Sequence, residues 1–317
     1  MNVKAKGYIL GAIAAATYGM NPLFTLPLYQ EGMDPDSVLF FRYLFAIPIM
    51  AIMIKSRRRS FKIKKNEILP LGVMGVLMAL SSLMLFLSYN YMEAGIASTI
   101  LFVYPIMVAL IMCFAFKEKI KPLTVACIFM ALSGIALLYK GENGESINAY
   151  GILCVMLSAL SYALYIVGAN RPILKDIATV KLTFYVLIFG FLLFVYRVDF
   201  FHNVQIPNAD QWYLWGNLLA LAALPTALSF LCTTQAIQYI GSTPTAILGA
   251  LEPITALFFG VLIFDESLTF RMICGVILIL VAVTLIIAGN NISPFLMRFR
   301  KLFPKIPLRL PKRKRNQ

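Results

Sequence analysis

Glu252 is a carboxylic acid inside an apolar stretch, 243–264, that carries no other charge, and Pro253 follows it directly. An acid in such surroundings can hold a cation, exchange a proton or close an ion pair. Each use requires polar groups or water around it, because a bare carboxylate in hydrocarbon is costly. Arg42 is the one basic residue that falls inside an apolar span, so it is the first candidate partner. Three arrangements stay open. The two residues form a structural pair, or they line an interior chamber and bind a zwitterion or exchange a proton. Alternatively, Arg42 extends about two turns along its span to the outer headgroup region.

Other polar side chains recur at helical spacing. Thr17, Tyr18 and Asn21 sit at i, i+1 and i+4, so at least two share a face. Ser161, Tyr162 and Tyr165 repeat that pattern later in the chain, and Asn90 and Tyr104 add polar groups on two further stretches. A tyrosine ring can enclose an apolar or aromatic molecule while its hydroxyl satisfies a polar end. The candidate binding set is therefore Tyr18, Asn21, Arg42, Asn90, Tyr104, Tyr162, Tyr165 and Glu252. Pro105 and Pro253 are the candidate helix breaks, since a proline removes a backbone donor and disturbs the carbonyl four residues before it. Such breaks leave polar backbone that a membrane tolerates where it lines a cavity.

Catalysis is not indicated. The single histidine, His202, lies in a predicted loop, and no nucleophile–base or metal-ligand constellation accompanies it. Cysteines 113, 127, 154, 232 and 274 all fall within spans without a CxxC pair, which reads as helix packing. No catalytic residue, cofactor or metal is expected.

The elements that must position these groups are membrane helices. The chain has 317 residues, 60% hydrophobic and only 13% charged, against about a quarter charged in soluble domains. Ten stretches are long enough to cross a bilayer: 8–28, 37–54, 68–88, 95–116, 122–139, 150–168, 180–196, 212–236, 244–264 and 269–289. The first is too long, and lacks the small-residue cleavage site, for a removable signal. The fold class is all-α integral membrane, and a multi-pass protein is expected.

With the N-terminus inside, the inward segments hold 24 of the 28 Lys and Arg residues. They include "KSRRRSFKIKK" (55–65) and the tail "RFRKLFPKIPLRLPKRKRNQ". The positive-inside rule then places both termini in the cytoplasm. The basic tail, 291–317, reads as a segment that meets anionic lipid headgroups. Nucleic acid is not expected as a partner, because aromatic interleaving and a folded reader are missing.

The chain also resembles itself. A shift of 148 aligns "YPIMVALIMCFAFKEKI" (104–120) with "EPITALFFGVLIFDESL" (252–268), so Tyr104 meets Glu252 and Pro105 meets Pro253. A shift of 144 aligns "GYILGAIAAATYG" (7–19) with "GILCVMLSALSYA" (151–163), so Tyr18 meets Tyr162. The organisation expected is two five-span units, 1–140 and 147–290, followed by the tail. An odd span count inverts one unit relative to the other, an arrangement suited to alternating access around a mid-membrane path.

Those segments bear a resemblance to a known family. "ATYGMNPLF" (16–24), "FFRYLFA" (40–46) and "LEPITALFFGVLIFDESLT" (251–269), in that order within a ten-span repeat, resemble the EamA-type members of the drug/metabolite transporter superfamily. Tyr18 stands where that family usually has tryptophan. The resemblance covers about 7–288. It implies a secondary transporter of a small-molecule substrate, a metabolite such as an amino acid or an amphipathic drug-like compound, often exported. It further implies that spans 1–4 and 6–9 surround the cavity, with spans 5 and 10 outside. A lipid scramblase or scaffold, and more distantly an intramembrane enzyme, are the alternatives.

Overall fold

The computed structural model describes residues 3–116, 122–138, 148–169, 171–175, 177–240, 245 and 248–302. Helices run α1 Val3–Gly19, α2 Asn21–Gln30, α3 Pro35–Ser56, α4 Lys65–Ser88, α5 Ala94–Leu101, α6 Tyr104–Phe116, α7 Pro122–Leu138, α8 Ala149–Ala169, α9 Pro172–Lys175, α10 Thr179–Arg197 and α11 Trp212–Leu221. A π-helical turn, Ala222–Leu228, then leads into α12 Ser229–Ile240, α13 Leu251–Phe264 and α14 Phe270–Leu302. The described residues contain no strand. Eight continuous or broken helices are long and apolar enough to span a membrane, and Pro122–Leu138 and Leu251–Phe264 are shorter apolar helices. Each of the ten spans expected from the sequence falls mainly on helix over its described residues.

Local chemistry explains where the helices begin. Asp34 caps α3 by accepting from the Ser37 N–H at 2.7 Å, with Pro35 supplying the first helical position. Glu67 closes back on the Lys64 N–H at 2.9 Å and starts α4. The helical part of the last span continues to Leu302, so the segment expected to be tail from 291 is helical for its first 12 residues. Residues 303–317, with most of its basic charge, lie outside the described residues, as do Glu118 and the rest of 117–121.

Helix surfaces divide as a bilayer requires. On α13, Pro253, Ala256, Leu257 and Gly260 are buried. Ile254, Phe258, Val261 and Leu262 are exposed, so the lipid-facing stripe follows the 3.6-residue period. Within the protein, small and hydroxylated residues let helices meet closely. Ser158 Oγ donates to the Ser81 carbonyl at 2.7 Å, joining α8 to α4. A methyl group at Gly75 would lie 3.0 Å from the Gly190 nitrogen, so α4 and α10 touch almost backbone to backbone.

Several links between the first and second halves gather at the end opposite the N-terminus. Asp36 and Arg197 form a bidentate pair at 2.7 and 2.8 Å. Gln205 donates its N–H to Ser37 Oγ at 2.9 Å. Glu266 accepts from the N–H groups of Ala94 at 2.8 Å and Gly95 at 3.2 Å, which caps α5 from across the molecule.

Candidate functional site

Three spans are interrupted in mid-course. Helix α1 stops at Gly19 and α2 begins at Asn21; α5 stops at Leu101 and α6 begins at Tyr104; a turn at Gly249–Ala250 precedes α13. Pro105 and Pro253 do not kink a continuous helix from its interior. Each sits in the first turn of the segment after the break, where its missing N–H costs no helical bond. The Glu252 N–H donates to the Gly249 carbonyl at 2.9 Å, closing that turn.

These interruptions meet in a cavity of about 570 Å³. Tyr18, Tyr104, Pro105, Tyr162 and Glu252 line it, together with Ser229, Phe230 and Thr233 of α12. Tyr18, Tyr104 and Tyr162 all lie within Coulombic reach of Glu252. Tyr104 and Tyr162 pack edge to face, centroids 4.7 Å apart at 76°. Two of the sequence-repeat pairs, Tyr18 with Tyr162 and Tyr104 with Glu252, thus share one chamber. From there the lining follows α6 to Cys113, reaches Thr124 in the first turn of α7, and ends on Ile286 and Ile287 of α14.

Glycine brings the acid to α1. A methyl group at Gly19 would collide with the Glu252 carbonyl oxygen and lie 2.7 Å from Thr255 Cβ. Only a residue without a side chain lets the α13 entry lie against the end of α1, one residue after Tyr18. Asn21 supports the same junction: its Nδ2 donates to the Tyr18 carbonyl at 2.8 Å.

The other candidates lie elsewhere. Asn21 is buried beside Tyr18 but does not line the cavity, and Asn90 is exposed in the turn after α4. Tyr165 stacks on Tyr162 at 6.0 Å, and packs against the satellite cluster of Leu71, Met74, Met78 and Leu182. Arg42 is 4% exposed and lines no part of the cavity. It does not pair with Glu252 among the described residues.

The π-helical turn explains the position of Arg42. Pro225 has no N–H to offer the Leu221 carbonyl, and in the π turn that carbonyl also accepts the Thr226 hydroxyl, at 3.1 Å. Thr226 Oγ1 in turn accepts from Arg42 Nε at 3.0 Å. The guanidinium lies 5.2 Å over the Phe86 ring, a cation–π contact. A hydroxyl and an aromatic face hold the cation, with no carboxylate at either contact.

The wall also departs from the expected set of spans. Spans 1, 4, 6, 8 and 9 line it, but the ends of spans 5 and 10 contribute Thr124, Ile286 and Ile287. Spans 2, 3 and 7 supply none of the described lining, since α3, α4 and α10 are packed into one another by contacts such as Gly75–Gly190. Phe230 was not singled out by the sequence reading; its only signal is its place one residue after Ser229 on a span rich in hydroxyls.

Comparison with known proteins agrees with this architecture. A Clostridium kluyveri protein described as an uncharacterized transporter is 23% identical over 90% of this chain and 94% of its own. The Bacillus subtilis uncharacterized transporter YoaV is 25% identical over 75% of this chain and 81% of its own. A solved crystal structure superposes with a TM-score of 0.67 at 15% identity, covering 92% of this chain and 99% of that one, a likeness of fold. The EamA-like transporter family model matches twice, over residues 5–140 and 149–288. Two matches that leave only short ends and one linker uncovered place the chain in the EamA-like transporter family.

Proposed function

We propose that this membrane transporter, which is not an enzyme, is an alternating-access secondary carrier that exports a small metabolite across the inner or plasma membrane. The observation that carries the reading is the chamber, lined by repeat-equivalent residues of both halves at the breaks in their helices. Two five-span units of opposite orientation would allow that chamber to face either side in turn. Charge distribution supports cytoplasmic termini. The lining runs toward the end of α6 and toward Ile286 and Ile287, near the end of the tenth span, which on that orientation is the cytoplasmic side. Cargo would load from the cytoplasm and leave outward. An amino acid or an amphipathic drug-like compound would fit the size and the aromatic walls.

The test is an efflux-protection screen comparing cells with and without the protein across amino acids and toxic amphipathic compounds. Counterflow of each protected compound in proteoliposomes follows. Protection accompanied by counterflow is expected. Protection without counterflow of any compound would overturn the carrier reading.

A further inference from the structure

We propose that the cargo is an organic monocation, an ammonium or guanidinium group on an apolar or aromatic body; this rests on the carrier reading above and narrows it. Glu252 is the one acid in the described lining, and Lys, Arg and His are absent from that lining. Arg42, the basic residue that the sequence places inside an apolar span, contacts Thr226 and Phe86. An anion in the chamber would meet Glu252 without a counter-charge. In a site partly closed to water, that repulsion is weakly screened.

A zwitterion faces the same difficulty at its carboxylate. In broken-helix carriers, the N-terminus of a half-helix can serve an anionic group through its free N–H donors. Here those donors are largely consumed. At the start of α6, Pro105 brings none, and Ile106 and Met107 both donate to the Val103 carbonyl. At the start of α13, Pro253 brings none and the Glu252 N–H is bonded to Gly249. The Ser229 hydroxyl is likewise taken, by the Ala14 carbonyl at 2.9 Å.

A cation meets the opposite situation. It finds one carboxylate, with the tyrosines Tyr18, Tyr104 and Tyr162 in the lining around it. Aromatic faces attract cations through the ring quadrupole, most strongly where water is excluded. Phe230 and the aliphatic remainder of the wall would receive an apolar body. The cavity volume, about 570 Å³, is in the range of small-molecule sites.

A charge series on one body tests this: phenethylammonium, phenethyl alcohol, 3-phenylpropionate and phenylalanine. Binding of each to the purified full-length protein is measured by equilibrium dialysis, and uptake of each is measured in proteoliposomes. Phenethylammonium should bind best. Glu252→Gln should weaken it by roughly ten- to a hundredfold without affecting the alcohol, and Glu252→Asp should restore part of the loss. If Glu252→Gln does not fold, Tyr162→Leu provides the second reading, with a loss of roughly five- to thirtyfold for the ammonium alone. Preferred binding of phenylalanine or 3-phenylpropionate, an unchanged ammonium affinity in folded Glu252→Gln, or no binding by any of the four would overturn the inference. Uptake of a non-cationic member would leave the carrier reading standing and remove this one. Ammonium binding that depends on Glu252, without uptake, would leave a cation site at Glu252 but remove the carrier reading and, with it, the assignment of the cation as cargo.

Discussion

Glu252 and Arg42 carry opposite charges within apolar spans, yet the structure gives them separate surroundings. The acid borders the chamber; the guanidinium is held by a hydroxyl and a ring. Substitution should separate the two roles. Glu252→Gln keeps the size and polarity of the side chain but removes its charge, so transport should be lost while insertion and folding persist; wild-type flux would end the functional role. Arg42→Met, by contrast, should destabilise the protein by roughly 1.5–3 kcal/mol, the range for a hydrogen bond to a charged group. In thermal unfolding, that loss should be non-additive with Thr226→Val, by about 0.5–3 kcal/mol, and additive with Glu252→Gln within about 0.5 kcal/mol. Coupling to Glu252 in place of Thr226 would revive the direct pair. The lone acid was legible because an acid in an apolar stretch has few innocent placements. The partner of Arg42 was not, because Thr226 lies in a π turn on a distant span and meets Arg42 only through the packing of α3 on that turn. That turn is a local backbone rearrangement with no signature in charge or periodicity.

At the level of elements, the interrupted helices do the positioning. The repeat alignment located two of the breaks, at Tyr104–Pro105 and Glu252–Pro253, and the third lies at Met20 between α1 and α2. Span count and span limits were readable because hydropathy sets them directly. The face each helix turns inward was less so. Asn90 and Tyr165 are polar residues near the expected depth, but one ends in an exposed turn and the other packs behind Tyr162. Rotation about a helix axis depends on neighbours, and a nearly uniform apolar sequence carries little of that information. Gly19 is where a neighbour decides: its missing side chain admits the Glu252 carbonyl. Gly19→Ala should therefore push α13 away from α1, destabilising the protein by about 1–3 kcal/mol and impairing transport beyond what that loss explains. Unchanged transport kinetics in a folded Gly19→Ala protein would show that the α1–α13 contact does not position the acid.

Across the whole molecule, the two halves are tied at the end away from the N-terminus, and Glu266 provides the most chemically specific of these ties. Its carboxyl, carried by the loop after α13, accepts from two N–H groups at the start of α5. Burial, the largest influence, pushes its pKa from 4.5 up to about 7; nearby Glu93 pushes in the same direction, and the two N–H bonds oppose them. Glu93 is itself pushed up by burial and restrained by the Ser267 backbone, while Asp265 precedes Glu266 in the loop. On the alternating-access reading proposed above, this tie would have to break when the chamber turns to the other side. Once released into water, Glu266 should return toward 4.5, so between about 4.5 and 7 the tied state binds the extra proton. By linkage, acid pH then favours the tied state, and that advantage disappears as pH rises through about 7. Leu257 is 8% exposed and packs against Gly95 just beneath the tie, which makes Leu257→Cys, in a background lacking the five native cysteines, a reporter of opening. Its labelling by a maleimide should rise between pH 6 and 8 more steeply than thiol ionisation alone explains. Adding Glu266→Gln, which cannot titrate, should leave only the intrinsic thiol dependence. The same pH profile in both proteins would show that Glu266 does not govern opening at this end.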